Sequence, residues 1–262
     1  MAKSTTCPAG IMNKIGVRLD RIHPVAVIVG DPKWLDLLAS LATRHEYFSQ
    51  YKAMRSMELE YDGQTFFGVS FGFGTTSLSR VVNELGIFGV RCILLITNSV
   101  SLVPGRVAPT EMCITYASCR GELTSAVEVD MSYPAVAHPD AVRALRRSAK
   151  ELGMKVRLTR SYTCDNAYGT KIQRAHTLRD EMLQTSFELQ DHEASAFLVE
   201  CGIRKLVAGV ITCNETEPCN FDQETGAVIE PQNFAEARLN TMRIALSAAA
   251  KLVIDYDFTE QS

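Results

Sequence analysis

At 262 residues the chain is long enough to bury one large core, and its 46% hydrophobic and 22% charged residues, with 16 Gly and 9 Pro, exclude a disordered, collagenous or fibrous protein. Thirty acids against 27 bases leave a formal charge of −3, with no basic surplus to hold a phosphate backbone, so nucleic acid is not an expected partner. The longest apolar runs, 25–30 and 92–97, fall far short of the roughly 20 residues that a membrane span needs, so no membrane is expected either.

After a polar lead of residues 1–20, short β-branched runs alternate with helical patterns. Residues 25–30 (VAVIVG) read as a buried strand closed by the turn Gly30-Asp31-Pro32. Residues 33–44 follow as a helix, with Trp34, Leu37, Leu38 and Leu41 at helical spacing. Strands at 57–61 and 65–70 flank Asp62-Gly63, the clearest hairpin signal in the chain. A helix over 76–88 carries Leu78, Val81, Val82 and Leu85 on one face. Residues 92–97 (CILLIT) give a second buried strand and 111–116 a third. The helix at 138–153 opens near Pro139 and closes on Gly153. Residues 155–163 are extended, 193–201 helical, and 205–212 (KLVAGVIT) a further buried strand. Residues 214–231 are polar and read as a surface loop before a long helix at 234–256. No internal repeat or linker interrupts this order. The expected fold is a single α/β domain over 21–262, with a central mixed, twisted sheet flanked by helices.

The eight cysteines are scattered, without a Cys-x-x-Cys pair or a finger-like spacing to histidine, so neither a metal nor another cofactor is expected. A disulfide framework is disfavoured because no apolar leader precedes a chain this long, and reduced cysteines in a cytoplasmic protein are expected.

Three segments bear on chemistry. Val29-Gly30-Asp31-Pro32 joins a strand to a helix, where backbone N–H groups can face an anion. Ser70-Phe71-Gly72-Phe73-Gly74 does the same, its glycines suited to a tight turn or to close approach of a ligand. Gln190-Asp191-His192-Glu193 sits at a helix start, where carboxylates also serve as caps. Each is weak alone. Together, in this order, with VNELGIFGVRCILLITNSVSL, YPAVAHPDAVRALRRSAKELG and RIALSAAAKL, they resemble the nucleoside phosphorylase family, in the branch of uridine phosphorylases and the hexameric type of purine nucleoside phosphorylase. The resemblance runs from about Pro24 to Tyr256.

That resemblance implies a homodimer or trimer of dimers with its sites at the dimer interface, a nucleoside or nucleobase ligand, and exchange of the base for inorganic phosphate. It also implies where the site residues fall. The Gly-Asp-Pro turn survives at Gly30. One expected phosphate-binding arginine is replaced by Trp34 and the second by Leu95, while Asn98 takes a neighbouring phosphate-site position. The arginine contributed by the adjoining subunit falls at Lys52, with Arg44 and Arg55 as the alternatives. Loss of two charge-assisted contacts, at about 1.5–3 kcal/mol each, weakens phosphate binding by orders of magnitude, so phosphate is a doubtful ligand. On the ribose side His192 and Glu193 stand where the family has Met-Glu, and Glu193 keeps the hydroxyl-binding carboxylate. On the base side, Asp191 replaces a glutamate, Asn214 replaces a proton-donating aspartate, and Ala167 replaces a stacking aromatic.

Three functions are open on this pattern. One is a weakly active or inactive member kept for binding or assembly, which the clustered substitutions favour. Another is an active phosphorylase cleaving uridine or a purine nucleoside to free base and ribose 1-phosphate. The third is a nucleosidase using water, against which the amide at Asn214 argues.

Overall fold

The computed structural model describes residues 14–17, 20–103, 105–166, 181–215, 222, 224–226 and 233–256 of the chain. Its first strand, β1 (Val25–Val29), is buried along its whole length and shows why the sheet has two covered faces. Successive side chains of a strand point to opposite sides. Val25, Val27 and Val29 enter one core with Leu35 and Leu38 of α1 (Pro32–Leu41), Leu145 of α3 (Pro139–Glu151) and Ile244 of α5 (Phe234–Asp255). Ala26 and Ile28 enter the other with Leu78, Val81, Val82 and Leu85 of α2 (Thr75–Ile87) and Phe197 of α4 (Ala194–Ile203). The result is three layers, helices on both faces of one mixed sheet, as the alternating pattern predicts. Each fully buried Val, Leu or Ile contributes about 1.5–3 kcal/mol, so the sheet is held from both sides.

Helix α1 is started by Asp31, whose carboxylate accepts the Lys33 N–H, and by Pro32 in its first turn. It ends at Leu41, three residues short of the expected boundary, because the Thr43 N–H donates to Glu60 O at 2.8 Å and draws the chain into β2 (Arg44–Tyr51). That strand is not legible in the sequence. It pairs with β3 (Met54–Tyr61), which turns through Asp62 and Gly63 into β4 (Gln64–Ser70). Both turn residues have positive φ, 51° and 72°, the twist that a two-residue hairpin requires.

The remaining strands are β5 (Cys92–Ser101), β6 (Met112–Gly121), β7 (Ala135–Val136), β8 (Arg157–Cys164), β9 (Leu189–Asp191) and β10 (Val207–Asn214). β5 pairs in parallel with β1 through Ile96 and with β10 through Ser99, then antiparallel with β9 at Val100 and Ser101. Since β10 also pairs with β6, β6 with β8, and β8 with β9, these five strands close into a ring from which β1, β4, β3 and β2 extend. Asn214, expected at the head of a loop, is the last residue of β10.

Candidate active site

Where β5 leaves β1 at Ile96 and reaches β9 at Val100, it carries Thr97 and Asn98 between its two partners. Ligands of α/β sheets gather at such strand ends. A pocket of about 780 Å³ opens there, lined by both glycine turns (Gly30 to Trp34, with Gly72 and Phe73), by Thr97 and Asn98 of β5, by His192 and Glu193 at the start of α4, and by Ala53, Glu215 and Arg238. Gly30 and Gly72 abut: the Gly72 N–H donates to Gly30 O at 3.0 Å, and a Cβ at Gly30 would lie 3.0 Å from Gly72 O. Gly72 has φ +92° besides, so two separate reasons keep side chains out of this junction.

Glu193 is the chemical centre of the floor. Its carboxyl accepts from the Thr97 hydroxyl at 2.9 Å and from the Gly74 backbone N–H. Burial, and next the charge of Asp191, push its pKa up to about 7, so near neutral pH it shifts between donor and acceptor. Asp191 itself is fully buried and raised for the same reason of desolvation. Its Oδ1 accepts from Thr163 Oγ1 at 2.6 Å and from the N–H groups of Glu193 and Ala194 at 3.1 and 3.0 Å. Asp191 therefore caps α4 from beneath the pocket and does not line it. His192 Nδ1 lies 2.7 Å from Cys164 O, and its ring sits 5.5 Å from that of Phe73, which stands 76% exposed at the pocket mouth.

The opposite end of the pocket differs from the expected arginine grip. Trp34, in the first turn of α1, is 7% exposed and joins the core on one edge while lining the pocket on the other. The Arg238 guanidinium lies 5.1 Å from the Trp34 ring centroid and 4.4 Å from that of Phe234, a cation held between two aromatic faces. Glu215 Oε1 is 3.9 Å from Arg238 Nη2 and also accepts a hydrogen bond from Asn98 Nδ2.

Of the other positions singled out in the sequence, Leu95 is fully buried in the core shared with α2 and α4. Asn214 is fully buried, and its Nδ2 donates to Val107 O and Ala108 O at 3.0 Å each, directing the amide into the 107–108 segment. Lys52 is exposed at the β2–β3 turn, next to the pocket residue Ala53. Arg44 pairs with Glu60 at 3.3 Å and Arg55 with Asp36 at 2.8 Å, so both alternatives to Lys52 are engaged within the chain. Ala167 lies outside the described residues.

Sequence reasoning misses Arg238, Glu215 and Phe73. The signal for Arg238 is an arginine four residues after Phe234 on an otherwise apolar helical stripe, a spacing that puts both on one face. Among the described residues no group of three metal-ligating side chains converges, and no helix is long and apolar enough to cross a membrane.

The chain belongs to the phosphorylase superfamily, whose family model matches residues 24–256. It is 26% identical to the purine nucleoside phosphorylase of Plasmodium falciparum (isolate 3D7), over 94% of this chain and 98% of that one. It is 23% identical to the uridine phosphorylase of Salmonella typhimurium (strain LT2), over 88% and 90%. The crystal structure of purine nucleoside phosphorylase from Toxoplasma gondii in complex with immucillin-H superposes with a TM-score of 0.81 at 26% identity, covering 92% of this chain and 96% of that one.

Proposed function

We propose that the protein binds a nucleoside or nucleobase through the Glu193 end of the pocket and carries out phosphorolysis weakly or not at all, serving in binding or assembly. The observation that carries this reading is the pair Trp34 and Arg238. Where the family resemblance expects an arginine facing a phosphate, an indole fills the wall, and the nearby guanidinium stacks on it beside Glu215. Departure of a base also needs a proton or a hydrogen-bond donor. Asn214 holds its amide donors on two backbone carbonyls. Glu193 suits a ribose diol: in its ionised form it is an acceptor for two hydroxyls. The expected homodimer or trimer of dimers would bring Lys52 of a second copy toward this pocket, as a point charge without arginine's fork.

A second reading is favoured by Arg238 and Lys33, cations that line the pocket among the described residues. In it they hold phosphate from a new direction, and the protein is an active phosphorylase of uridine or a purine nucleoside. One experiment separates the two. Purified protein is incubated with uridine, inosine and adenosine, with and without phosphate, while nucleoside binding is followed by calorimetry. Binding without phosphate-dependent base release supports the first reading. Release at an enzyme-like rate, on the order of 1 s⁻¹ or faster, overturns it.

A further inference from the structure

We propose that Glu215 is an internal anion that occupies the cationic end of the pocket and keeps inorganic phosphate and other small dianions out of it. The inference rests on the reading above that this end of the pocket no longer grips phosphate, and it names the residue responsible.

The position of Glu215 is set by the sheet. Its N–H donates to Ser99 O at 2.8 Å, which extends the β10–β5 ladder one step past Asn214. Cys213 lies opposite Asn98 in that ladder, and Glu215, two residues on, shares the face of Cys213. It is therefore the diagonal neighbour of Asn98, within reach of its amide. The carboxylate accepts from Asn98 Nδ2 and lies 3.9 Å from Arg238 Nη2. An amide N–H₂ and a guanidinium held in place by Trp34 and Phe234 are the kind of donors an oxyanion uses. The oxyanion they meet is one the chain itself supplies.

Among the described residues, a dianion entering this pocket would face the carboxyl groups of Asp31, Glu193 and Glu215 against the cations Lys33 and Arg238 and the titratable His192. Asp31 is fixed on the Lys33 N–H and Glu193 on Thr97, so neither is directed at Arg238 by these bonds. Glu215 is the one of these that lies at ion-pair distance from the guanidinium, 3.9 Å. Displacing it would leave its charge in the same cavity beside the incoming one. A neutral glutamine at 215 keeps an acceptor for Asn98 and removes that repulsion.

The test uses the full chain. Sulfate and phosphate are titrated by calorimetry at constant ionic strength into the wild type, Glu215→Gln, Glu215→Ala and the double variant Glu215→Gln with Arg238→Gln. The expected result is anion affinity about ten-fold or more above wild type in both single variants, lost again in the double variant. Folded single variants whose affinity stays within about two-fold of wild type overturn the proposal, as does a gain that survives loss of Arg238. Failure of both single variants to fold also overturns it, because Glu215 would then be a structural residue. Wild-type base release with phosphate would count against the functional reading, whereas the variant-to-wild-type affinity ratio alone decides the role of Glu215.

Discussion

Thr97 Oγ1 donates to Glu193 Oε2 at 2.9 Å, tying the point where β5 changes partners to the start of α4 across the pocket floor. The bond joins residues 96 positions apart and sets the rotamer of the carboxyl group that we propose meets a ribose. It also holds that group in surroundings that favour its neutral form.

The pH dependence follows. Glu193 stays protonated to about pH 7 in the native chain, against an ordinary value of 4.5. Between those values the native state binds a proton that the unfolded state has released. Stability from this group is therefore full below about pH 4.5, falls as pH rises through the window, and levels off above 7, a loss of about 3 kcal/mol. Glu193→Gln, which keeps an acceptor for Thr97, should match the wild type near pH 5 and melt higher at pH 8. Thermal melts of both proteins across that range measure the difference; curves that stay parallel would refute it.

Asp191 gives a contrast between two substitutions. Asp191→Ala removes the acceptor of two backbone N–H groups and of the Thr163 hydroxyl, at a cost of about 2–3 kcal/mol. Asp191→Asn keeps an oxygen there and should cost less than about 1 kcal/mol. It also removes the charge that helps raise Glu193, so the wild-type pH window should move to lower pH. Urea denaturation at pH 5 and pH 8 checks both statements.

Rebuilding the arginine grip should fail at one position and be tolerated at the other. Leu95 is sealed in the core, and Leu95→Arg would bury a charge with no partner, costing several kcal/mol and soluble yield. Trp34 borders the pocket, so Trp34→Arg can turn its head group toward solvent and Glu215. It should fold with a loss of about 3 kcal/mol from the lost indole packing. Equal stability of the two variants, read from their melting curves, would contradict this assignment of inside and outside.

Among the described residues that line the pocket, Phe73 is the aromatic most open to a ligand. Phe73→Ser should leave stability within about 0.5 kcal/mol, since the ring is largely exposed. Loss of a stacking face should weaken nucleoside binding about five-fold or more. Calorimetric titration of the variant with uridine and inosine tests it, and unchanged affinity for both would place the ligand elsewhere.

Much of the scaffold is written in local pattern. The run 25–30 is a strand because its alternate residues have two cores to enter, and Asp62-Gly63 is a hairpin because both residues accept positive φ. The helix over Pro139–Glu151 shows in its apolar stripe. Other elements depend on partners distant in sequence. β9 is three residues long and exists only because β5 and β8 flank it. β2 is polar and takes its form from β3. Site residues divide the same way. Glu193 is legible from its motif and the capping role of Asp191 from its place at a helix start, while Arg238 reaches the pocket only because α5 crosses α1 at Trp34.

The ring formed by β5, β10, β6, β8 and β9 has a consequence for how the protein opens. A strand in a closed ring has no free edge from which to peel, so its amides exchange with solvent only when the whole ring comes apart. Thr97, Asn98 and Asp191 lie on strands of that ring, Glu215 follows directly after one of them, and Glu193 is two residues past the end of another. The amides of the pocket floor are thus expected to exchange more slowly than those of the open wing, which hydrogen exchange would measure. The β2–β3 turn holding Lys52 belongs to the open wing, and it can breathe while the floor stays shut.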